Sequence, residues 1–134
     1  MAGYSKTPLS KKLGLKENSS VVFLREPESF RKDLGALPKG VAPKTRVGKD
    51  HDYIHLFTKS RSELETLFPR MKKSLRKTGT LWISWPKKSS HMACDFNEND
   101  LREIGLAAGL VDVKVAAIDE TWSGLKFVFR LKDR

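Results

Sequence analysis

The chain has 134 residues and a net charge of +10, and 39% of its residues are apolar. That length and apolar share predict one globular domain with a single core, and they exclude a disordered chain. No apolar run approaches the roughly 18 residues of a membrane span, and Cys94 is the only cysteine, so we expect a cytoplasmic protein with no membrane partner and no internal disulfide.

The first predicted elements are short. Pro8 and Gly14 predict a helix at about residues 7–13, because proline is favoured at a helix start and glycine after a helix end. The apolar run in "SSVVFLREP" predicts a buried strand near Ser20–Arg25, and "PESFRKDLG" predicts a brief helix after it. The segment 41–47 predicts no more than a weak edge strand, since Pro43 cannot donate a hydrogen bond to a neighbouring strand.

The middle of the chain predicts a strand and the longest helix. "HDYIHLFTKS" has apolar residues on both faces of a strand, and Ser60 with Glu63 has the spacing of a capping box at a helix start. Apolar residues then recur at helical intervals, with Pro69 inside the pattern, where we expect a kink. The following "TGTLWISW" predicts the next strand.

The last third predicts one helix and two strands. Asn97 or Asn99 can cap the helix, and Gly109 ends it. The strands "VDVKVAAID" and "LKFVFRLK" are joined by "ETWSG". Alternating strands and helices followed by a hairpin predict a single domain over residues 1–134, an α/β three-layer Rossmann-like sandwich. Its mostly parallel sheet has six strands in the order 2-1-3-4-6-5, with only the last strand antiparallel.

The order of these elements resembles the class I methyltransferase fold from about Val21 to Lys132. Three segments, "GYSKTPLSKKLG", "WISWPKKSS" and "GLVDVKVAAIDETWSGLKFVFR", give a more specific resemblance. In these segments the chain resembles a family of short bacterial proteins known only as a domain of unknown function. The second resemblance implies no particular chemistry.

The methyltransferase resemblance implies that adenosylmethionine binds at a glycine-rich turn after the first strand. Here the turn is "REPESF", which has no glycine, and Pro27 has no amide hydrogen. Glu26 and Glu28 add negative charge where a helix start would attract an anion. We therefore expect no cofactor, and a binding or regulatory protein that is not an active adenosylmethionine-dependent methyltransferase.

A ligand site is predicted at the carboxyl edge of the sheet, where open α/β sheets bind ligands. The ends of "TLWISW" and "VDVKVAAID" share this edge, so aromatic rings and charges of both signs should meet there. These groups are suited to binding a small polar or zwitterionic ligand. They are equally suited to a structural role, in which the tryptophans cover the end of the sheet and the lysines neutralise the acidic residues. The predicted rim consists of Arg25, Thr58, Lys59, Ser60, Trp85, Lys87, Lys88, Asp119, Glu120 and Trp122.

Two other functions fit the sequence. The net charge is +6 for residues 1–50, +6 for 51–90 and −2 for 91–134, so nucleic acid is a candidate partner of the first ninety residues. The charges are spread along the chain in runs no longer than two, and a solvated, solubilising face is the favoured interpretation. The phosphate contacts would come from the polar face of the long helix, through Lys59, Arg61, Arg70, Lys72, Lys73, Arg76 and Lys77. The second alternative is an enzyme that uses the rim carboxylates.

A metal site is not predicted. His51 and His55 share a strand face, and His91 and Cys94 add two more side chains that can bind zinc. Their spacing does not require a zinc site, and separate hydrogen-bonding histidines are the favoured interpretation.

Overall fold

The computed structural model describes residues 8–134. The helices are α1 (Leu9–Lys12), α2 (Glu28–Leu34), α3 (Arg61–Ser74) and α4 (Glu98–Ala107). The strands are β1 (Val21–Leu24), β2 (His51–Phe57), β3 (Leu75–Pro86), β4 (Leu110–Ala117) and β5 (Trp122–Phe129). Single turns of 3₁₀ helix follow β3 and β5, at Lys88–Ser90 and Leu131–Asp133.

The five strands form one mixed sheet in the order β1-β2-β3-β5-β4. β1, β2 and β3 are parallel, and β5 is antiparallel to both β3 and β4. The chain returns across the sheet after β4, so β5 lies between β3 and β4 and not at an outer edge. The carboxyl ends of β1, β2, β3 and β4 consequently lie at one edge of the sheet.

The predicted six-stranded sheet and its strand order are wrong. Segment 41–47 forms no strand among the described residues, and its one backbone pairing with a described strand is an isolated parallel bridge between Lys44 and Val22. The Val41 amide donates to the Pro38 carbonyl before the bridge and the chain bends at residues 45 and 46 directly after it, so the pairing does not extend beyond Lys44.

Helices cover both faces of the sheet. On one face, which we call the α3 face, Leu64, Phe68 and Met71 of α3 and Leu101 of α4 pack against the sheet. On the other, the α2 face, α1 and α2 pack against alternate residues of the same strands, including Phe23, Tyr53 and Trp82. Side chains alternate between the faces of a strand, so strands buried on both sides need apolar residues at nearly every position.

The two larger helices begin as their sequences indicate. The Ser60 side chain accepts a hydrogen bond from the Glu63 amide at the start of α3, and Asn97 and Asp100 form a full capping box at the start of α4. α3 continues through Pro69 as one helix and ends at Ser74. Leu75 continues the helical spacing of the apolar residues in this segment, which predicts that it belongs to the helix, but it is the first residue of β3. The predicted helix at residues 7–13 is observed at Leu9–Lys12, and Thr7 lies outside the described residues.

No described helix has both the length and the apolar character required to cross a membrane.

Candidate functional site

An ion pair lies across the carboxyl ends of β1 and β2. Arg25 follows β1 directly and contacts Glu63 of α3, with 2.9 Å between Nη2 and Oε2. The Thr58 hydroxyl, just after β2, donates to the other carboxylate oxygen of Glu63 at 2.7 Å. The Arg25 side chain is 62% exposed, whereas Thr58 is buried, so the site opens to solvent on the arginine side.

The backbone of Arg25 has an uncommon conformation. Its φ is +56°, in the left-handed region that glycine adopts most readily and that few other residues visit. Pro27 then precedes α2, and Glu26 lies 3.7 Å from Arg31. The turn after β1 thus contains a left-handed residue although it contains no glycine.

A second group of predicted rim residues lies at the ends of β3 and β4. The Lys87 ammonium donates to the backbone carbonyl of Asp119 at 2.7 Å, and the Lys87 amide donates to the carbonyl of Thr121. The Asp119 carboxylate accepts from the amides of Thr121 and Trp122 at 2.8 and 2.7 Å. These bonds close the tight turn between β4 and β5, and they account for Lys87 and Asp119 as structural groups.

The two tryptophans of the predicted rim lie on opposite faces of the sheet. Trp85 packs on the α3 face and Trp122 on the α2 face, and each is only 8% exposed. Trp122 makes an edge contact with the Phe57 ring. The predicted aromatic pair does not form the two walls of one ligand site.

Beside Trp85 the structure has an open cleft of about 390 Å³. It lies between the end of β3 and the start of α4, and Lys88 and Cys94 also line it. Asp95, another lining residue, accepts from the Arg61 amide at 2.6 Å, and its own amide donates to the Lys59 carbonyl. The cleft is therefore attached to the turn after β2, which also carries Thr58, the hydrogen-bond partner of Glu63. Burial raises the pKa of the Cys94 thiol, which disfavours the nucleophilic thiolate.

Besides Arg25, the exposed members of the predicted rim are Lys59, Lys88 and Glu120. They stand at the ends of three different strands, and the structure gives none of them an ion pair within residues 8–134.

The predicted nucleic-acid residues separate into two groups. Arg61, like Lys59, lies at the carboxyl edge, where Arg61 contacts Glu65 and Asp100 at 3.5 Å. The others lie in the second half of α3 and the start of β3, at the amino edge. They are Arg70, Lys72, Lys73, Arg76 and Lys77.

The two histidines of β2 form hydrogen bonds with nearby protein groups. His51 accepts from the Gly48 amide and bonds to the Ser20 hydroxyl, and burial is the main cause that lowers its pKa. His55 bonds through its two nitrogens to the hydroxyls of Tyr53 at 2.9 Å and Ser84 at 2.6 Å. Complete burial lowers the pKa of His55 to about 3. In the part of the chain that the structure describes, no three potential metal ligands come together.

Sequence reasoning missed Glu63 and Asp95 as site residues. The spacing of Glu63 from Ser60 indicates only a role in helix capping, and Asp95 lies in an irregular loop with no periodic pattern. A carboxylate three residues after a helix cap can turn back toward the preceding strand end, which is the one signal that could have indicated Glu63.

Structural comparison finds methyltransferases. A TehB-like SAM-dependent methyltransferase from Corynebacterium glutamicum matches with a TM-score of 0.60 and 10% identity, over 96% of this chain and 91% of the other. The magnesium protoporphyrin IX methyltransferase of Synechocystis, solved with SAM bound, gives 0.58 and 13%, over 91% and 74%. A SAM-dependent methyltransferase from Aquifex aeolicus gives 0.56 and 17%, over 87% and 85%.

The coverage of other neighbours is lower. The chain spans 52% of a second structure of the magnesium protoporphyrin enzyme, and 58% of a ribosomal protein L11 methylase from Lactobacillus delbrueckii. No family model matches the sequence, and no curated protein matches it. The resemblance to the bacterial family of unknown function stays a prediction.

These comparisons confirm the α/β Rossmann-like, methyltransferase-like architecture. They also correct the functional expectation. We expected a binding or regulatory protein that is not an active adenosylmethionine-dependent methyltransferase, and this expectation is contradicted, because the three solved structures named above share the fold and are methyltransferases. Identities of 10 to 17% establish the fold and leave the activity as a proposal.

Proposed function

We propose that this chain is an adenosylmethionine-dependent methyltransferase whose cofactor binds at the carboxyl ends of β1 and β2. The single observation that carries the proposal is the Arg25–Glu63 pair, which crosses that edge in a fold shared with methyltransferases. Ligands of open α/β sheets bind at the carboxyl ends of the strands, so the position of the pair is the expected one.

The pair suits the amino-acid part of adenosylmethionine, which carries a carboxylate and an ammonium group. A guanidinium binds a carboxylate through two parallel hydrogen bonds, and the Arg25 side chain is 62% exposed. Glu63 is held by the Thr58 hydroxyl at 2.7 Å and can accept from an ammonium. Arg25 and Glu63 are thus the residues that would hold this part of the cofactor.

The charge of the turn also fits this cofactor. Glu26 and Glu28 place negative charge beside the end of β1, which disfavours the phosphates of a nucleotide. Adenosylmethionine has no phosphate, and when bound it supplies a methyl group activated by a positively charged sulfur.

The backbone of the turn is also compatible with a bound cofactor, because the left-handed φ of Arg25 gives the turn a glycine-like conformation. Pro27 removes one amide donor there, so we expect side chains to provide most of the binding.

The methyl acceptor is proposed to enter the cleft beside Trp85. Asp95 attaches this cleft to the turn after β2 through its bonds to Lys59 and Arg61. Trp85 and Phe96 offer apolar surface, whereas Asp95 and Asp100 offer carboxylates that can orient a polar acceptor.

Calorimetric titration of the full chain with adenosylmethionine tests the proposal. We expect binding by the wild type and at least a tenfold weaker affinity for Arg25→Gln, about 1.4 kcal/mol, because a charge-assisted contact to the carboxylate is lost. Arg46→Gln removes the same charge from an exposed loop residue and should leave the affinity unchanged. Absence of binding at about 1 mM cofactor, or equal losses in the two variants, contradicts the proposal.

A further inference from the structure

We propose that the amino edge of the sheet is a binding surface for the phosphates of a nucleic acid, separate from the proposed methyltransferase site at the opposite edge. This amino-edge basic surface is formed by the second half of α3, the start of β3 and the end of β5. Its residues are Arg70, Lys72, Lys73, Arg76, Lys77 and Arg130.

The charge of this surface is almost uncompensated. Residues 70–79 contain five cationic side chains and no acidic one. Asp52 contacts Arg76 at 3.3 Å, and Arg76 remains 52% exposed. Within residues 8–134, neither Arg70 nor Lys73 forms an ion pair, and both are exposed. A dense set of free cations raises the local concentration of an anionic partner.

Part of the surface is held in place by aromatic and backbone contacts. The Lys77 ammonium lies 4.5 Å from the centre of the Phe129 ring, and the Lys72 ammonium lies 6.0 Å from it. Lys72 also donates to the Ala108 carbonyl at the end of α4, at 2.5 Å. Two like charges thus share one buried ring, and their ordered side chains have less conformational entropy to lose when a ligand binds.

Nucleic acid fits this surface better than an anionic membrane does. Interfacial helices insert apolar side chains into lipid, but the apolar residues of α3, Leu64, Phe68 and Met71, are buried against the sheet. The outward face of α3 presents Arg70 and Lys73. Contacts with a phosphate backbone require positive side chains on a firm framework and no particular base sequence.

The test is fluorescence anisotropy with a labelled DNA duplex of about 20 base pairs of arbitrary sequence, at several salt concentrations. We expect the full chain to bind with a dissociation constant on the order of 1–10 μM at low salt. Arg70→Gln with Lys73→Gln should weaken binding at least tenfold and reduce the slope of log affinity against log salt by about 2, because two phosphate contacts are lost. Both side chains are exposed and neither forms an ion pair within residues 8–134, so the fold should be unaffected, which circular dichroism checks.

The matched control is Lys11→Gln with Lys32→Gln, which removes the same charge from exposed positions of α1 and α2. It should change the affinity less than threefold. Equal weakening by both double variants, or no binding below about 1 mM, overturns the proposal, as does salt-independent binding. Binding to vesicles that contain anionic lipid is measured as well. Tighter binding to the vesicles than to the duplex also overturns the nucleic-acid proposal. The assay needs no methyl donor, so its failure is independent of failure in the cofactor titration.

Discussion

His55 illustrates how one buried titratable side chain affects the molecule. It is fully buried between Phe57, whose ring stacks at 4.3 Å, and Trp82, and both of its nitrogens bond to buried hydroxyls. A neutral imidazole offers one donor and one acceptor, so the Tyr53 and Ser84 hydroxyls satisfy it completely. Protonation would place a charge in a site with no counterion, and burial therefore lowers its pKa to about 3.

The stability of the protein should fall as pH decreases below 6.5. The unfolded histidine, with a pKa near 6.5, binds a proton in the range between that value and about 3, whereas folded His55 does not. The unfolded state thus gains free energy on acidification. From about pH 7.5 to about pH 5.5, His55 should remove about 1.4 kcal/mol of unfolding free energy, and buried His51 acts in the same direction.

Urea denaturation at the two pH values measures this effect. His55→Gln should show a smaller loss on acidification by about 1.4 kcal/mol, whatever its stability at neutral pH. His91→Gln, which changes an exposed histidine, should lose as much as the wild type. An unchanged pH dependence in His55→Gln would mean that His55 titrates normally in the folded protein.

At the scale of elements, the contact of α4 with β5 depends on one small residue. Gly105 is buried in the last turn of α4, and a β-carbon there would overlap the Phe127 ring of β5. Phe127 in turn packs at a right angle to Phe68 of α3, with 5.4 Å between ring centres. The glycine lets α4 approach the sheet closely enough to complete the core on the α3 face.

Gly105→Ala should destabilise the protein by about 1–3 kcal/mol, because the added methyl group requires the packed ring or the helix to move. Helix propensity alone gives the opposite sign, a gain of about 1 kcal/mol, so thermal or chemical denaturation separates the two effects. Leu106→Ala, at the neighbouring residue that is 46% exposed, should change stability by less than about 0.5 kcal/mol. A more stable Gly105→Ala variant would show that the helix adjusts without cost.

Most elements could be predicted because local signals agreed with tertiary structure. Ser60 and Asn97 cap the helices that their spacing indicated, and Gly109 has a φ of +93° just after α4. Two errors arose where tertiary contacts decided the outcome. Leu75 continues the helical spacing of α3 and yet belongs to β3, where it pairs with His51. Segment 41–47 pairs with β1 only at Lys44, because the chain bends at residues 45 and 46.

At the scale of the molecule, the edge that carries the candidate site could be predicted, but its internal arrangement could not. The rule that parallel strands present ligands at their carboxyl ends brought Arg25, Thr58 and the β3–α4 loop to one edge. It does not say which sheet face each side chain takes, and alternation along β3 and β5 places Trp85 and Trp122 on opposite faces. Glu63 enters the site from a helix, which strand patterns do not reveal.

The charge of the whole molecule is divided between the two edges of the sheet. The carboxyl edge has charges of both signs, and two pairs of them form ion pairs there, Arg25 with Glu63 and Arg61 with Asp100. Cations dominate the amino edge, where residues 70–79 have no acidic side chain. A small zwitterionic cofactor suits the first edge and a polyanion suits the second, so the two proposed activities need not compete for one surface.

The most direct test of the central claim, that the carboxyl edge binds the cofactor of a methyltransferase, is amide NMR of the labelled chain during addition of adenosylhomocysteine. The account predicts the largest shift changes in residues 25–28 and 58–63, smaller ones in the loop 94–97, and none in residues 70–79. Saturable shifts confined to 70–79, or no shifts at about 1 mM ligand, would contradict it.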